Sequence, residues 1–358
     1  MTSIWDPITV GRMHLKNRLA MAPMTRSRAH ADGTPGELAA EYYAQRATLG
    51  LLISEGVQPS DDGQGYLNTP GIYRDDHVRS WQPVLSAVHA AGGSMFLQLM
   101  HVGRMSHADN TPHHRQPVAP SAITPGVAMF TPTGMQPAPI PRALSTDEVR
   151  QTVADFRAAA AAAIRAGADG VEIHAANGYL LHQFFAPNAN ERTDEYGGQI
   201  ENRARFALEV AAAVADEIGG DRTGIRISPG TGSGGLEEGP ETNDLYRYLV
   251  AELAKLDLAY VHLLHTGDES LLSDLREAWP NTLLVLRAGR DRHDVQIDVE
   301  AGLADMAPIG SWALANPDIV ARLKHGAEFN EPDRTTFYAG GAGGYTDYST
   351  IASAVSAA

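Results

Sequence analysis

The sequence predicts an α/β fold, a (β/α)8 barrel with a long lid-like insertion after the third strand. Three observations carry that expectation. Short apolar runs alternate with helical patterns along the chain, the signal of βαβ units and a parallel sheet. Eight such runs can be counted, the number that closes a barrel. The 358 residues also suit one barrel domain with insertions, for which about 250 residues is typical.

Taken in order, the runs are Leu19 to Met21, Leu51 to Ser54, Met95 to Leu99, Gly170 to His174, Gly224 to Ser228, Tyr260 to Leu264, Leu283 to Leu286 and Asp305 to Ile309. Pro308 weakens the last, because a proline donates nothing to the ladder. Ser145-Thr146-Asp147-Glu148 is a capping-box pattern, and it opens a long alanine-rich helix. The stretch 101–144 is rich in proline and glycine and is expected to lie over the strand 3 mouth as a lid or hairpin. Pro229 to Glu241 carries four glycines by Gly235 and reads as a second mobile loop over the same face. No domain boundary interrupts 1–358, and 340–358 reads as a C-terminal tail with a frayed end.

Forty-three acidic against 28 basic residues give a net charge of −15, and no Lys/Arg cluster tracks phosphates. Nucleic acid and anionic membrane are therefore not expected partners. The longest apolar run, Ala158 to Ile164, falls far short of the roughly 20 residues of a bilayer span. Met1 to Trp5 does not read as a signal peptide, so the cytoplasm is the expected address. With no cysteine there is no thiolate chemistry, and any metal would need His and carboxylate ligands.

A parallel barrel keeps its chemistry at the C-terminal ends of its strands. At the end of the fourth run, His174, Asn177 and Tyr179 gather within six positions. His and Asn offer two neutral hydrogen-bond donors to one carbonyl oxygen, and Tyr offers a phenolic proton of pKa about 10. A strand end whose His and Asn merely tie down a loop would look the same. The other strand ends contribute Pro23, Met24 and Thr25, then Gly56, Gln98 and Arg226, then Ala288, Gly289 and Arg290, and finally Gly310 and Ser311. Small residues after strands 7 and 8 are where barrels bind a phosphate. Thr25, Gln98 and Arg226 form a polar ring suited to a heterocycle with carbonyls and ring nitrogens.

Several separated motifs then stand in a familiar order. Asn17-Arg18 precedes Ala22-Pro23-Met24-Thr25-Arg26-Ser27-Arg28-Ala29; Thr69 to Tyr73, Gln98 to Arg104, His174 to Tyr179, Asp194 to Gly198 with Asn202-Arg203, Arg226 to Pro229 and Asn316-Pro317-Asp318 follow. Together they resemble the old yellow enzyme family of FMN-dependent ene-reductases, over nearly the whole chain. The resemblance implies FMN as cofactor, NADPH or NADH as reductant, and an activated alkene as substrate: an α,β-unsaturated carbonyl or a nitro compound. Hydride would pass from flavin N5 to the β-carbon in a ping-pong cycle, in a monomer or homo-oligomer.

By the same resemblance, Thr25 meets the flavin C4 carbonyl, Gln98 and Arg226 hold the pyrimidine edge, and Gly56 lies against the ring. His174 and Asn177 grip the substrate oxygen and Tyr179 protonates the α-carbon. Tyr66, Met100 and Tyr345 join the substrate-binding set, Tyr345 as a C-terminal aromatic near the cofactor. Two positions depart from the family. The family has Gly-Arg after strand 8, its Arg meeting the FMN phosphate, where this chain has Gly310-Ser311; either Arg290 replaces it, or Arg290 is a solvated surface residue and main-chain N–H groups alone hold the phosphate. Met100 stands where Trp is common and predicts a more open pocket wall, or simple repacking.

Two other classes remain open on the residues alone. One is a non-redox barrel enzyme acting on a sugar phosphate, which would need a strand-end lysine or a metal set; the chain is poor in lysine and shows neither. The other is a flavin-binding homologue whose reductase activity is altered or lost.

Overall fold

The computed structural model describes residues 2–352; Met1 of the leader reading and 353–358 of the expected tail lie outside them. Eight parallel strands form one sheet: β1 (Leu19–Met21), β2 (Leu51–Val57), β3 (Met95–Leu99), β4 (Gly170–Ala175), β5 (Thr223–Ile227), β6 (Tyr260–His265), β7 (Thr282–Arg287) and β8 (Ala307–Ile309). A helix follows each: α1 (Ala39–Gln45), α2 (Asp75–Ala90), α3 (Thr146–Ala166), α4 (Ile200–Ile218), α5 (Thr242–Leu253), α6 (Glu269–Ala278), α7 (Ile297–Glu300) and α8 (Ile319–His325). Each strand pairs with its sequence neighbour, and β8 returns to β1, so the sheet runs round as a barrel.

The seam lies between β7 and β8, where one bridge, Leu284 to Met306, joins the two strands. Pro308 explains why. Ala307 N–H donates to Arg18 on the β1 side at 2.8 Å. Alternation therefore turns residue 308 toward β7, and proline has no N–H to offer there. At β2 the strand runs on past Ser54 to Val57 through a register shift between Ile53 and Gly56. The bulge re-aims the strand end, and Ser54 Oγ accepts the Gln98 N–H at 2.9 Å.

The capping box at α3 is formed as the sequence predicts: Ser145 accepts from the Glu148 N–H, and Glu148 accepts from the Ser145 N–H at 2.8 Å. Gly167 ends the helix in the left-handed region at φ 103°.

An N-terminal hairpin, Ile8–Val10 with Met13–Leu15, was not legible in the sequence. Val10, Met13 and Leu15 pack into one buried cluster with Ala20, Leu51, Ile53, Phe96, Tyr260 and Leu284, plugging the barrel at the strands' N-terminal ends. Chemistry is thereby confined to the opposite mouth.

Over that mouth, residues 101–144 hold the expected hairpin, Ala128–Thr131 with Gly134–Pro137, and a parallel pair, Val118–Ala119 with Arg142–Ala143. The Arg104 guanidinium ties the insertion to the glycine-rich loop by donating to Gly234 at 3.1 Å.

Candidate active site

The strand β4 end delivers the three residues that the sequence places together. His174 is buried, and the Ala176 N–H donates to its Nδ1 at 3.2 Å. The proton of the neutral ring is thereby left on Nε2, the nitrogen with no protein acceptor. Burial pushes the His174 pKa well below the ordinary value, and the nearby Arg226 adds to the effect, so the ring is a neutral donor. Its imidazole stands perpendicular to the Tyr179 ring, centroids 4.9 Å apart.

Asn177 sits in the left-handed region at φ 56°, a conformation asparagine tolerates better than most residues. Its N–H donates to Ser228 Oγ at 2.8 Å, which joins the turn to the end of β5. The side-chain amide has no such anchor: Oδ1 is buried without a hydrogen-bond partner. A buried polar group in that state is one that a ligand completes.

Tyr179 and Tyr66 share a hydrogen bond between their hydroxyls at 3.2 Å. Burial raises the Tyr179 pKa, with the Tyr66 hydroxyl working against it, so the phenol keeps its proton at neutral pH. Behind this turn, Gly178 N–H donates to His182 Nδ1 at 3.0 Å, and His182 Nε2 meets Glu238 at 3.0 Å. Glu238 also accepts from Tyr246 at 2.6 Å and from the Gly230 N–H, so the glycine-rich loop is pinned to the Tyr179 turn.

Beside these groups lies a buried set that the spacing alone did not reveal as connected. Glu172 accepts from Gln98 Nε2 at 2.7 Å and pairs with His262 Nδ1 at 2.9 Å. The carboxylate therefore orients the Gln98 amide, turning its oxygen away. Burial works to raise the Glu172 pKa, but His262, Arg226 and the Gln98 bond outweigh it, and the carboxylate stays ionised. Arg226 is buried with its Nε unpartnered. A buried guanidinium without a full set of acceptors suits an electron-rich edge, such as the N1 and C2 carbonyl side of a flavin.

Between β7 and β8 a cavity of about 350 Å³ is lined by Ala288, Gly289, Arg290, Arg292, Gly310, Ser311, Trp312 and Arg334, among others. A Cβ built on Gly289 or Gly310 would meet nothing within 4 Å, so that backbone is open to a phosphate. The residues present thus fit FMN: an anion cradle at β7 and β8, Arg226 and Gln98 for the pyrimidine edge, and half-buried Pro23, Met24 and Thr25 at the end of β1.

Not every expected residue reaches the mouth. Tyr345 is only 1% exposed, stacked on Tyr42 at 4.1 Å with the Arg26 and Arg28 guanidinium groups over its ring. The aromatic near the mouth from the C-terminal segment is instead Tyr338, which is exposed and close enough to raise the pKa of both Tyr66 and Tyr179. Met100 does not open the wall. It is buried, and its Sδ and Cε lie 2.5 and 2.4 Å from where a Cβ on Gly56 would stand, so the thioether fills the space that glycine leaves. Arg290 is held by Asp298 at 2.6 Å rather than free for an anion. Among the described residues no group of three or more His, Cys, Asp or Glu is placed to hold a metal.

Comparison with known proteins agrees with this geometry. The family model for the NADH:flavin oxidoreductase / NADH oxidase family matches residues 3–330. The chain is 40% identical to 12-oxophytodienoate reductase 2 of Arabidopsis thaliana over 97% of this chain and 95% of the relative. It is 39% identical to a probable flavin mononucleotide-dependent alkene reductase of Leishmania infantum, over 96% of each. Among solved structures, morphinone reductase in complex with tetrahydroNAD superposes with a TM-score of 0.94 at 43% identity, over 98% of both chains. The barrel and its mouth define a flavin-dependent oxidoreductase. The chain belongs to the NADH:flavin oxidoreductase / NADH oxidase family, the old yellow enzyme family of FMN-dependent ene-reductases. The non-redox sugar-phosphate reading is thereby set aside.

Proposed function

We propose that this enzyme reduces the C=C bond of α,β-unsaturated carbonyl compounds, with nitroalkenes as a second substrate class and NADPH or NADH as reductant. One observation carries the reading: two donors with no acceptor among the described residues, His174 Nε2 and Asn177 Nδ2, lie beside a half-buried phenol that keeps its proton. Bound FMN supplies the hydride, taken from the nicotinamide and given to the alkene β-carbon.

His174 and Asn177 hold the substrate oxygen and stabilise the negative charge that grows on it. Because His174 is neutral and Asn177 Nδ2 has no acceptor among the described residues, both donors are in place before the charge develops. Tyr179 then protonates the α-carbon, a general-acid role worth about 10²–10⁴ in rate. The Tyr66 hydroxyl, 3.2 Å away, can donate a hydrogen bond to the phenolate oxygen that Tyr179 leaves, until a proton from solvent restores the phenol. A nitroalkene forms a more stable anion and depends on Tyr179 less.

A nicotinamide entering the same mouth is supported by the morphinone reductase neighbour, which was solved with tetrahydroNAD. The test is turnover of 2-cyclohexen-1-one with NADPH under anaerobic conditions. Cyclohexanone formed in step with NADPH oxidation supports the proposal; NADPH oxidation that awaits oxygen and yields no ketone contradicts it.

A further inference from the structure

The family's FMN anchor after strand 8 is an arginine, and this chain has Ser311 there. Four arginines line the same cavity, Arg287, Arg290, Arg292 and Arg334, and the structure distinguishes them. Arg290 is neutralised. It donates to Asp298 at 2.6 and 3.2 Å, and Asp298 also takes Arg287, which in turn pairs with Glu269 at 2.9 Å. Two arginines thus face two carboxylates, and this quartet has no net charge left for an anion.

Arg292 is different. Its guanidinium carbon lies 4.6 Å from the Trp312 ring centroid and 5.1 Å from that of Phe329, beside the residue that follows Ser311. Its Nε is buried with no partner, and its ion pair among the described residues is with Glu331, which is 3.5 Å away and 77% exposed. An exposed pair at that distance contributes little and yields readily to a stronger anion. The side chain of Arg334, also in the lining, makes neither a hydrogen bond nor an ion pair among the described residues.

A phosphate monoester carries about −1.5 to −2 charge at neutral pH and calls for a cation with donors to spare. We infer that Arg292, steadied on the Trp312 and Phe329 rings, is the arginine that grips the FMN phosphate in this chain, with Arg334 as a second cation and Arg290 serving only to hold Asp298. The guanidinium has moved from the strand 8 turn to the strand 7 loop, and Trp312 is the platform that holds it there. The inference rests on FMN being the cofactor.

Reconstituting the full-length apoprotein with FMN or with riboflavin, followed by flavin fluorescence, isolates the phosphate's share of binding. The expected result is that Arg292→Gln lowers FMN affinity at least about tenfold, the loss of one charge-assisted contact, while riboflavin affinity is unchanged. Arg334→Gln should cost FMN severalfold, Arg290→Gln should leave the FMN-to-riboflavin ratio in place, and Ser311→Arg added to Arg292→Gln should restore it. A ratio unchanged in Arg292→Gln, or one that collapses in Arg290→Gln instead, overturns the inference. Wild-type apoprotein that binds neither flavin would overturn the cofactor assignment and this inference with it.

Discussion

On the β3 to β6 side of the barrel mouth, polar groups are closed off from water and bonded to one another: Gln98 to Glu172, Glu172 to His262, with Arg226 beside them. On the β7 and β8 side the arginines are partly exposed, and they come from loops and are held by a carboxylate or by ring faces. The first set is fixed by backbone register, since Gln98 stands opposite Glu172 and Arg226 opposite His262 in paired strands. The second has no such constraint. A loop can supply a cation from any of several positions, whereas a buried strand position admits few exchanges. That contrast explains why the family's Gln and Arg are kept where the flavin ring would react, while the phosphate anchor has moved.

The largest expected break of this contrast is Glu172→Ala. It takes away the acceptor that Gln98 and His262 share and the buried counter-charge of Arg226, and removing one partner of a buried pair typically costs about 3–5 kcal/mol. Glu331→Ala, on the exposed side, should change stability by less than about 0.5 kcal/mol. Urea unfolding of the two variants measures both; equal losses would mean the ends are not built differently.

Next comes His174→Ala. Removing one positioned oxyanion donor should lower turnover of 2-cyclohexen-1-one by about 10²–10³ with little effect on flavin reduction by NADPH. A matching loss in both half-reactions would place His174 in cofactor binding rather than on the substrate oxygen.

A smaller effect separates the two ends by pH. Glu55, at the end of β2, accepts the Arg26 N–H at 3.0 Å, and burial raises its pKa from 4.5 to about 7 despite that bond and the Arg26 charge. The folded state therefore holds the Glu55 proton more tightly than the unfolded chain. Its contribution is fully present below about pH 4.5 and is lost as pH rises through 7, amounting to about 3 kcal/mol or less. Relative to Glu55→Gln, the wild type should lose stability between pH 5 and 8. A flat difference across that range would show that Glu55 stays ionised in the fold.

Much of this was legible in the residues. The eight runs, the Ser145 capping box and the His174, Asn177 and Tyr179 triplet follow from periodicity and from residue types at a strand end. The N-terminal plug was not, because two three-residue strands leave too short a pattern to read. Glu172 sits inside an apolar run, and only its side-chain bonds to Gln98 on β3 and His262 on β6 reveal a polar hub. Sequence order does not tell which aromatic of the C-terminal segment folds inward; the arginines of the 26–28 segment draw Tyr345 into the core. Arg290 was expected to be free because its partner, Asp298, lies eight positions on and meets it only once α7 is in place.

In the proposed reaction Tyr179 gives the proton while His174 and Asn177 hold the oxygen. Anaerobic stopped-flow absorbance on Tyr179→Phe tests it most directly, with flavin reduction by NADPH and flavin reoxidation by substrate recorded separately. Reduction at the wild-type rate, reoxidation by 2-cyclohexen-1-one slowed about 10²–10⁴-fold, and reoxidation by a nitroalkene slowed far less is the predicted pattern. Enone reoxidation as fast as in the wild type would contradict it.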